Sequence, residues 1–157
     1  MIAVVFFFED VTANIASGIP EATVERWVYS AKFLGADKLI MIDKTTFRIG
    51  QYYRHADSEI EFERFERLEE AEAVHPDAAW VFLENKKALD AAGVSCTRMD
   101  KFTHPVGDTI YVVGADSGSH DIVTGREEGI WINIPAPDMW SEAAMAICLY
   151  DRRIKEL

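Results

Sequence analysis

Short, unbroken runs of apolar residues recur along the chain, separated by stretches of mixed polarity. An apolar run bounded by polar or turn residues predicts a strand that is buried on both faces of a sheet. Such runs lie at Ile2–Phe8, Lys38–Ile42, Ala79–Leu83, Thr109–Val113 and Gly129–Pro135. Glu59–Glu63 instead alternates acidic and apolar residues, which is typical of a half-exposed strand at the edge of a sheet.

Helical periodicity separates several of these strands. Between Val24 and Leu34, apolar residues recur three and four positions apart, which predicts a helix with one face packed on the sheet. Pro20 suits the first turn of this helix, and Gly35 suits its left-handed end. Further helices are predicted from Arg67 to Val74, from Asn85 to Ala92 and from Met139 onward. Residues 11–18 and 44–58 are predicted to be loops, the second with a helical turn.

A strand, a helix and a second strand in succession form a βαβ unit with parallel strands. No linker or internal repeat interrupts the pattern. We therefore expect residues 1–157 to form one α/β domain, a mostly parallel sheet of about five or six strands flanked by helices. Ligands bind such sheets in crevices outside the carboxyl ends of the strands. The strand ends at Gly114 and Pro135 and the start of the last helix lie close in sequence, so we expect the site there.

The composition of the 157 residues is that of a globular protein, with a net charge of −11. An acidic chain is an unusual nucleic-acid binder, because binding to phosphates needs clustered lysine and arginine. The basic residues here are scattered, except for Arg152, Arg153 and Lys155, which also suit the negative end of a helix.

No apolar run approaches the roughly 20 residues of a membrane span. The first apolar run lacks the basic residues that begin a signal peptide, so we expect a cytoplasmic protein that does not bind membranes. Cys96 and Cys148 are then expected to be buried, reduced thiols.

Other kinds of site lack the spacing that their chemistry needs. The four histidines have no partner at helical spacing and there is no cysteine pair, so we expect no metal site. Gly114–Gly118 carries Asp116 at its centre, where a hydrolase elbow carries serine, and it does not match the dinucleotide fingerprint. The pairs Tyr52/Tyr53 and Phe62/Phe65 could stack on RNA bases, but core or interface packing is the better interpretation.

Three segments carry a resemblance to a known family. They are Arg26–Ile42, Thr109–Ser117 with its glycine followed two residues later by an acid, and Ile134–Tyr150 with its Ile-Pro and late Leu-Tyr. In this order they resemble the motifs of the SPOUT (SpoU-like) RNA methyltransferases, clearly after residue 75 and weakly before it. The resemblance implies that the stretch from Asp108 to Leu157 folds into a deep trefoil knot that holds S-adenosylmethionine.

The resemblance also implies which residues bind the cofactor. They are Leu83, at the end of the strand that runs into Glu84, together with Gly114, Asp116, Ile134 and Met139. A glycine at a strand end lets a ligand approach the backbone without a Cβ in the way. Exposed backbone groups at three strand ends could bond an adenine edge, and Met139 could form an apolar wall.

The implied reaction is methyl transfer to a ribose 2′-oxygen of RNA, with a tRNA stem-loop as the expected substrate for so short a chain. Arg26 and Ser141 are the expected catalytic residues. The family is dimeric, and its dimers pack the first and last helices together and complete each active site with the partner chain. Apolar contacts in such a homodimer are expected from Trp27, Tyr29, Phe33, Trp140 and Ile147.

The sequence departs from the family at its catalytic positions. The Asn and Arg of the first motif fall at Thr23 and Tyr29, and the Ser-Leu-Asn of the third falls at 138–140, Asp-Met-Trp. Arg26 is one turn before Tyr29 on the same helix face, and Asn14, Ser17 and Ser141 are further possible replacements. Two alternatives follow: a non-catalytic binding protein that keeps the pocket or only the fold, and methyl transfer to a base or a non-RNA acceptor.

Overall fold

The computed structural model describes residues 1–8, 20–43, 60–114, 121–136 and 139–157, with side chains from residue 24 in the second range. Its helices are α1 (Pro20–Phe33), α2 (Leu68–Val74), α3 (Lys86–Ala91) and α4 (Ser141–Lys155). Its strands are β1 (Ile2–Phe7), β2 (Lys38–Ile42), β3 (Glu61–Phe65), β4 (Ala79–Leu83), β5 (Thr97–Arg98), β6 (Thr109–Val113) and β7 (Ile130–Asn133). The loops predicted at 11–18 and 44–58 lie outside the described residues.

The strands of these ranges form one seven-stranded sheet in the order β3-β2-β1-β6-β4-β7-β5, and every pairing is parallel. The expected α/β class and parallel sheet are confirmed. The expected number of strands was too low, because Thr97–Arg98 adds a short strand beside β7. β3 is an edge strand as predicted, although it begins at Glu61 rather than Glu59.

Helices cover both faces of the sheet, which explains why its central strands are continuously apolar. On one face, α1 and α4 bury apolar side chains that include Val24, Met145 and Leu149. On the other face, α2 and α3 contribute Leu68 and Leu89 among others.

Trp27 belongs to the first of these two layers. Its ring stacks on that of Phe6 with the ring centroids 4.7 Å apart, and it is buried. The expectation that Trp27 contacts a second subunit is therefore wrong, because the helix face it shares with Val24 and Val28 is the one that packs on the sheet.

Local signals mark the ends of several elements. Gly35 and Gly93 follow α1 and α3 with φ of 96° and 70°, the left-handed conformation that favours glycine. Asn85 caps α3, with its side-chain oxygen accepting a hydrogen bond from the Ala88 N–H at 3.0 Å. Cys148 is a buried free thiol, whereas the free thiol of Cys96 is only partly buried. In the described part of the chain, no helix is long and apolar enough to cross a membrane.

A buried polar network holds the C-terminal half of α4 against the amino end of β6. His104 contacts Asp151 through Nε2 and the Tyr111 hydroxyl through Nδ1, both at 2.7 Å. Arg152 donates to the same hydroxyl at 2.8 Å and to the Pro105 carbonyl at 3.1 Å. Burial, opposed by the hydrogen bond with Asp151, holds the pKa of His104 below its ordinary value. The network thereby sets where the opposite, N-terminal end of α4 lies.

Candidate functional site

Three neighbouring strands end together at one edge of the sheet. β4 lies between β6 and β7, and Leu83 pairs with Val113 on one side and with Ile132 on the other. The residues that follow these strands therefore lie side by side. The structure thus brings Leu83, Gly114 and Ile134, expected from the sequence as cofactor-binding residues, to a single edge.

Gly114 leaves its own backbone uncovered by a side chain at this edge. A Cβ on Gly114 would lie 3.5 Å from Glu84 Oε2 and 3.9 Å from both Ile122 Cδ1 and the Leu83 carbonyl oxygen. Its φ is not in the left-handed region, so no turn requires a glycine here. What the missing side chain provides is space against the backbone, lined by the carboxylate of Glu84 and the apolar end of Ile122.

The chain turns sharply after β7. The Ala136 N–H donates to the Ile134 carbonyl at 2.7 Å, a three-residue turn centred on Pro135. The strand consequently ends at Asn133 and not at Pro135 as expected. The buried Asn133 side chain donates to Cys96 Sγ at 3.2 Å, which ties this end of β7 to the segment before β5. One lone pair of the Ile134 carbonyl is therefore already in use within the turn.

The contacts of α4 indicate that its N-terminus lies toward the same edge. Arg152, near the other end of α4, donates to the hydroxyl of Thr109, the first residue of β6, at 3.4 Å, and a helix of 15 residues spans roughly 22 Å. Trp140 precedes the helix with an extended backbone, and its side chain is 71% exposed, while that of Met139 is exposed as well. Ser141 is the first helical residue and is partly buried.

An ion pair places Arg26 beside this helix end. Arg26 Nε on α1 lies 3.2 Å from Glu142 Oε2, in the first turn of α4, and the Arg26 side chain is 59% exposed. Arg26 and Ser141, expected as catalytic residues, thus flank the same helix end. Asp116 and Asp138 lie outside the described residues, as does the side chain of Thr23.

Two residues of this region were not predicted as site residues. The carboxylate of Glu84 and the side chain of Ile122 both contact the space above Gly114. The resemblance associates the strand end Phe82–Glu84 with backbone contacts to the cofactor, but it gives the Glu84 side chain no role. Among the described residues, no group of three or more histidine, cysteine, aspartate or glutamate side chains could hold a metal ion.

An exposed apolar surface extends along α1 and α4. We define it by Tyr29, Phe33, Ile147, Tyr150 and Ile154, all exposed, with the rings of Tyr29 and Phe33 stacked at 5.9 Å. Arg153 joins the two helices by donating to the Phe33 carbonyl at 3.0 Å. Exposed apolar side chains grouped on neighbouring helices mark interaction surfaces.

Comparison with known proteins finds similarity in structure and not in sequence. No protein-family model matches the chain, and no curated protein sequence matches it. A Porphyromonas gingivalis structure assigned to the TrmH family of RNA methyltransferases aligns with a TM-score of 0.66 at 12% identity, over 98% of this chain and 59% of that one. An AdoMet-bound rRNA methyltransferase from Sinorhizobium meliloti aligns with a TM-score of 0.66 at 16% identity, over 99% of this chain and 56% of that one.

A third similar structure is described as giving insight into 2-OH methylation of C/U34 on tRNA. It aligns with a TM-score of 0.65 at 15% identity and covers 99% of this chain and 91% of its own. The chain spans 59% or less of the first two structures and nearly all of the third. At these identities the comparison establishes the fold: this chain has the α/β fold of the TrmH-type RNA methyltransferase structures.

Proposed function

We propose that this protein is an S-adenosylmethionine-dependent RNA methyltransferase that modifies a ribose 2′-oxygen, with tRNA as the substrate, and that it acts in the cytoplasm. The observation that carries the proposal is the convergence of three parallel strand ends, at Leu83, Gly114 and Ile134. This convergence occurs in a fold shared with an AdoMet-bound rRNA methyltransferase.

The residues at this edge fit the cofactor. The space above Gly114 is one that a side chain would fill, and it is bounded by backbone, by an apolar side chain and by a carboxylate. In the proposal, backbone groups of Leu83, Gly114 and Ile134 hold the adenosine part, Met139 forms an apolar wall, and Asp116 belongs to the same site. When bound, S-adenosylmethionine supplies an electrophilic methyl group on its sulfonium. The protein's contribution is then to orient the acceptor oxygen and to exclude water.

Arg26 is proposed to orient the RNA and to donate a hydrogen bond to the acceptor oxygen, with Ser141 as a hydrogen-bonding neighbour, while the proton that the hydroxyl loses passes to solvent. Arg26 Nε lies 3.2 Å from Glu142 Oε2, in the first turn of α4. Because exposed ion pairs contribute only about 0 to 1 kcal/mol, a phosphate could replace this carboxylate at little cost.

We include a homodimer and a C-terminal trefoil knot in the proposal. The exposed apolar surface on α1 and α4 supports the dimer, as does the exposure of Trp140, directly before α4. The position of β7 between β4 and β5, both earlier in the chain, supports the knot. Phe33→Asp should convert a dimer to a monomer in analytical ultracentrifugation, whereas Lys32→Asp, at the neighbouring exposed position, should not. A wild-type monomer at micromolar concentration would refute the dimer.

The test of the function has two stages. Calorimetric titration of the purified chain with S-adenosylmethionine and S-adenosylhomocysteine measures binding, for which we expect micromolar affinity. Incubation with methyl-labelled S-adenosylmethionine and unmodified tRNA then measures transfer. A 2′-O-methyl group blocks alkaline cleavage of its phosphodiester, so the label should appear in alkali-resistant dinucleotides. Label in mononucleotides would show that a base is the acceptor.

The second candidate is a binding protein that keeps the cofactor pocket without catalysis. It is favoured by the pairing of Arg26 with Glu142 and by Tyr29 at the position where the resemblance expects the catalytic arginine. Cofactor binding without transfer to any RNA of the source cell would support this candidate.

A further inference from the structure

The carboxylate of Glu84 is fixed at the centre of the candidate site. Glu84 directly follows β4, the middle of the three strands whose ends converge, and its N–H donates to the Ile132 carbonyl on β7 at 3.3 Å. On its other side, Glu84 Oε2 faces Gly114 at the end of β6. The residue therefore spans all three strand ends.

The two carboxylate oxygens have different surroundings. Oε1 accepts a hydrogen bond from the Asn85 N–H at 2.8 Å, and Asn85 is itself anchored as the cap of α3. Oε2 lies 3.5 Å from the position that a Cβ on Gly114 would occupy. The first oxygen holds the carboxylate in place, and the second is directed into the space above Gly114.

An ionised carboxylate only accepts hydrogen bonds, so a ligand in this space must present donors to it. In dinucleotide-binding α/β sheets, an acidic side chain accepts from a ribose hydroxyl, while backbone next to glycine approaches the rest of the nucleotide. Glu84 and Gly114, on adjacent strand ends, repeat that combination. A carboxylate placed against the sulfonium would instead favour the charged ground state over a transition state in which that charge is lost, which opposes catalysis.

We propose that Glu84 is a cofactor-binding residue whose carboxylate accepts hydrogen bonds from the ribose hydroxyls of S-adenosylmethionine. This inference rests on the proposed function, and it adds to that function a side-chain contact that determines specificity for the ribose. It also assigns Gly114 a second purpose, since a side chain there would occupy the space beside the Glu84 carboxylate that the ribose is proposed to fill.

The test compares wild type with Glu84→Gln by calorimetric titration of the full chain. Glutamine keeps an oxygen that can accept from the Asn85 N–H, so circular dichroism should show an unchanged fold. Three probes distinguish which part of the ligand Glu84 contacts. S-adenosylmethionine carries the sulfonium, the amino acid and the ribose hydroxyls. S-adenosylhomocysteine lacks the sulfonium, and methylthioadenosine lacks the sulfonium and the amino acid. Glu128→Gln, at an exposed position before β7, is the matched control.

We expect Glu84→Gln to raise Kd at least about 10-fold for all three probes, as loss of a hydrogen bond to a charged group should. Glu128→Gln should leave all three within about twofold of wild type. A loss of affinity for S-adenosylmethionine alone would place the carboxylate against the sulfonium and overturn its assignment to the ribose. Unchanged affinity for methylthioadenosine, with weaker binding of the other two probes, would also overturn it, because the contact would then be with the amino acid.

Two further outcomes separate this inference from the proposed function. Equal affinities of wild type and Glu84→Gln for every probe would overturn the role of Glu84 and leave the cofactor site standing. Failure of the folded wild type to bind S-adenosylmethionine or S-adenosylhomocysteine would overturn the proposed function, and the role of Glu84 with it.

Discussion

Tyr111→Phe tests the buried network that positions α4, because it removes one oxygen and keeps the ring. Arginine is only a donor, and an ionised aspartate is only an acceptor. His104 therefore carries its proton on Nε2, toward Asp151, and accepts the Tyr111 hydroxyl proton at Nδ1, while Arg152 donates to the hydroxyl oxygen. Phenylalanine would leave both His104 Nδ1 and one Arg152 N–H without that partner.

The magnitude follows from the two groups left behind. A buried polar group that loses its partner costs about 1–3 kcal/mol. Arg152 keeps a long contact with Thr109 Oγ1 at 3.4 Å, which offsets part of its loss. We therefore expect Tyr111→Phe to lower the free energy of unfolding by about 2–4 kcal/mol, or roughly 5–15 °C in Tm for a chain of this size.

Urea unfolding followed by circular dichroism measures this change. The midpoint should fall while the m-value stays that of wild type, because the surface exposed on unfolding hardly changes. Tyr150→Phe is the matched control, since it removes the same oxygen from a tyrosine that is 57% exposed on α4, and it should stay within about 0.5 kcal/mol of wild type. A Tyr111→Phe protein as stable as the Tyr150→Phe protein would refute the stabilising role of the network.

Three other predictions follow. The pKa of His104 is lowered on folding, so below about pH 6.5 the unfolded chain binds more protons than the folded one. The free energy of unfolding should therefore fall as the pH drops from about 6.5 toward the pKa of His104 in the folded chain. A series of urea titrations at different pH values measures this fall, which should be smaller in His104→Gln. Gly114→Leu should abolish S-adenosylmethionine binding in calorimetry without unfolding the chain, whereas unchanged affinity would put the pocket elsewhere. Arg26→Ala should abolish methyl transfer at unchanged cofactor affinity while Glu142→Gln stays active; full activity of Arg26→Ala would remove it from the mechanism.

Much of the fold was readable from local patterns. Central strands of a parallel sheet are covered on both faces, so β1, β2, β4 and β6 are continuous apolar runs whose predicted bounds lie within one residue of those observed. Gly35 signals the end of α1 through its own conformational freedom. β5 gave no such signal, because both of its residues are exposed and only the neighbouring β7 makes them a strand.

The candidate site likewise has features that the sequence predicts and features that depend on how the strands and helices pack. That Leu83, Gly114 and Ile134 end apolar runs is a property of the sequence alone, but their placement side by side depends on the sheet order β6-β4-β7. The contact of Arg26 with Glu142 joins residues 116 positions apart.

The orientation of the Glu84 carboxylate requires the approach of a different strand at Gly114. Local periodicity encodes which residues are buried, because burial repeats along one element. Contacts between elements depend on how those elements pack, and packing is decided only when the whole chain folds.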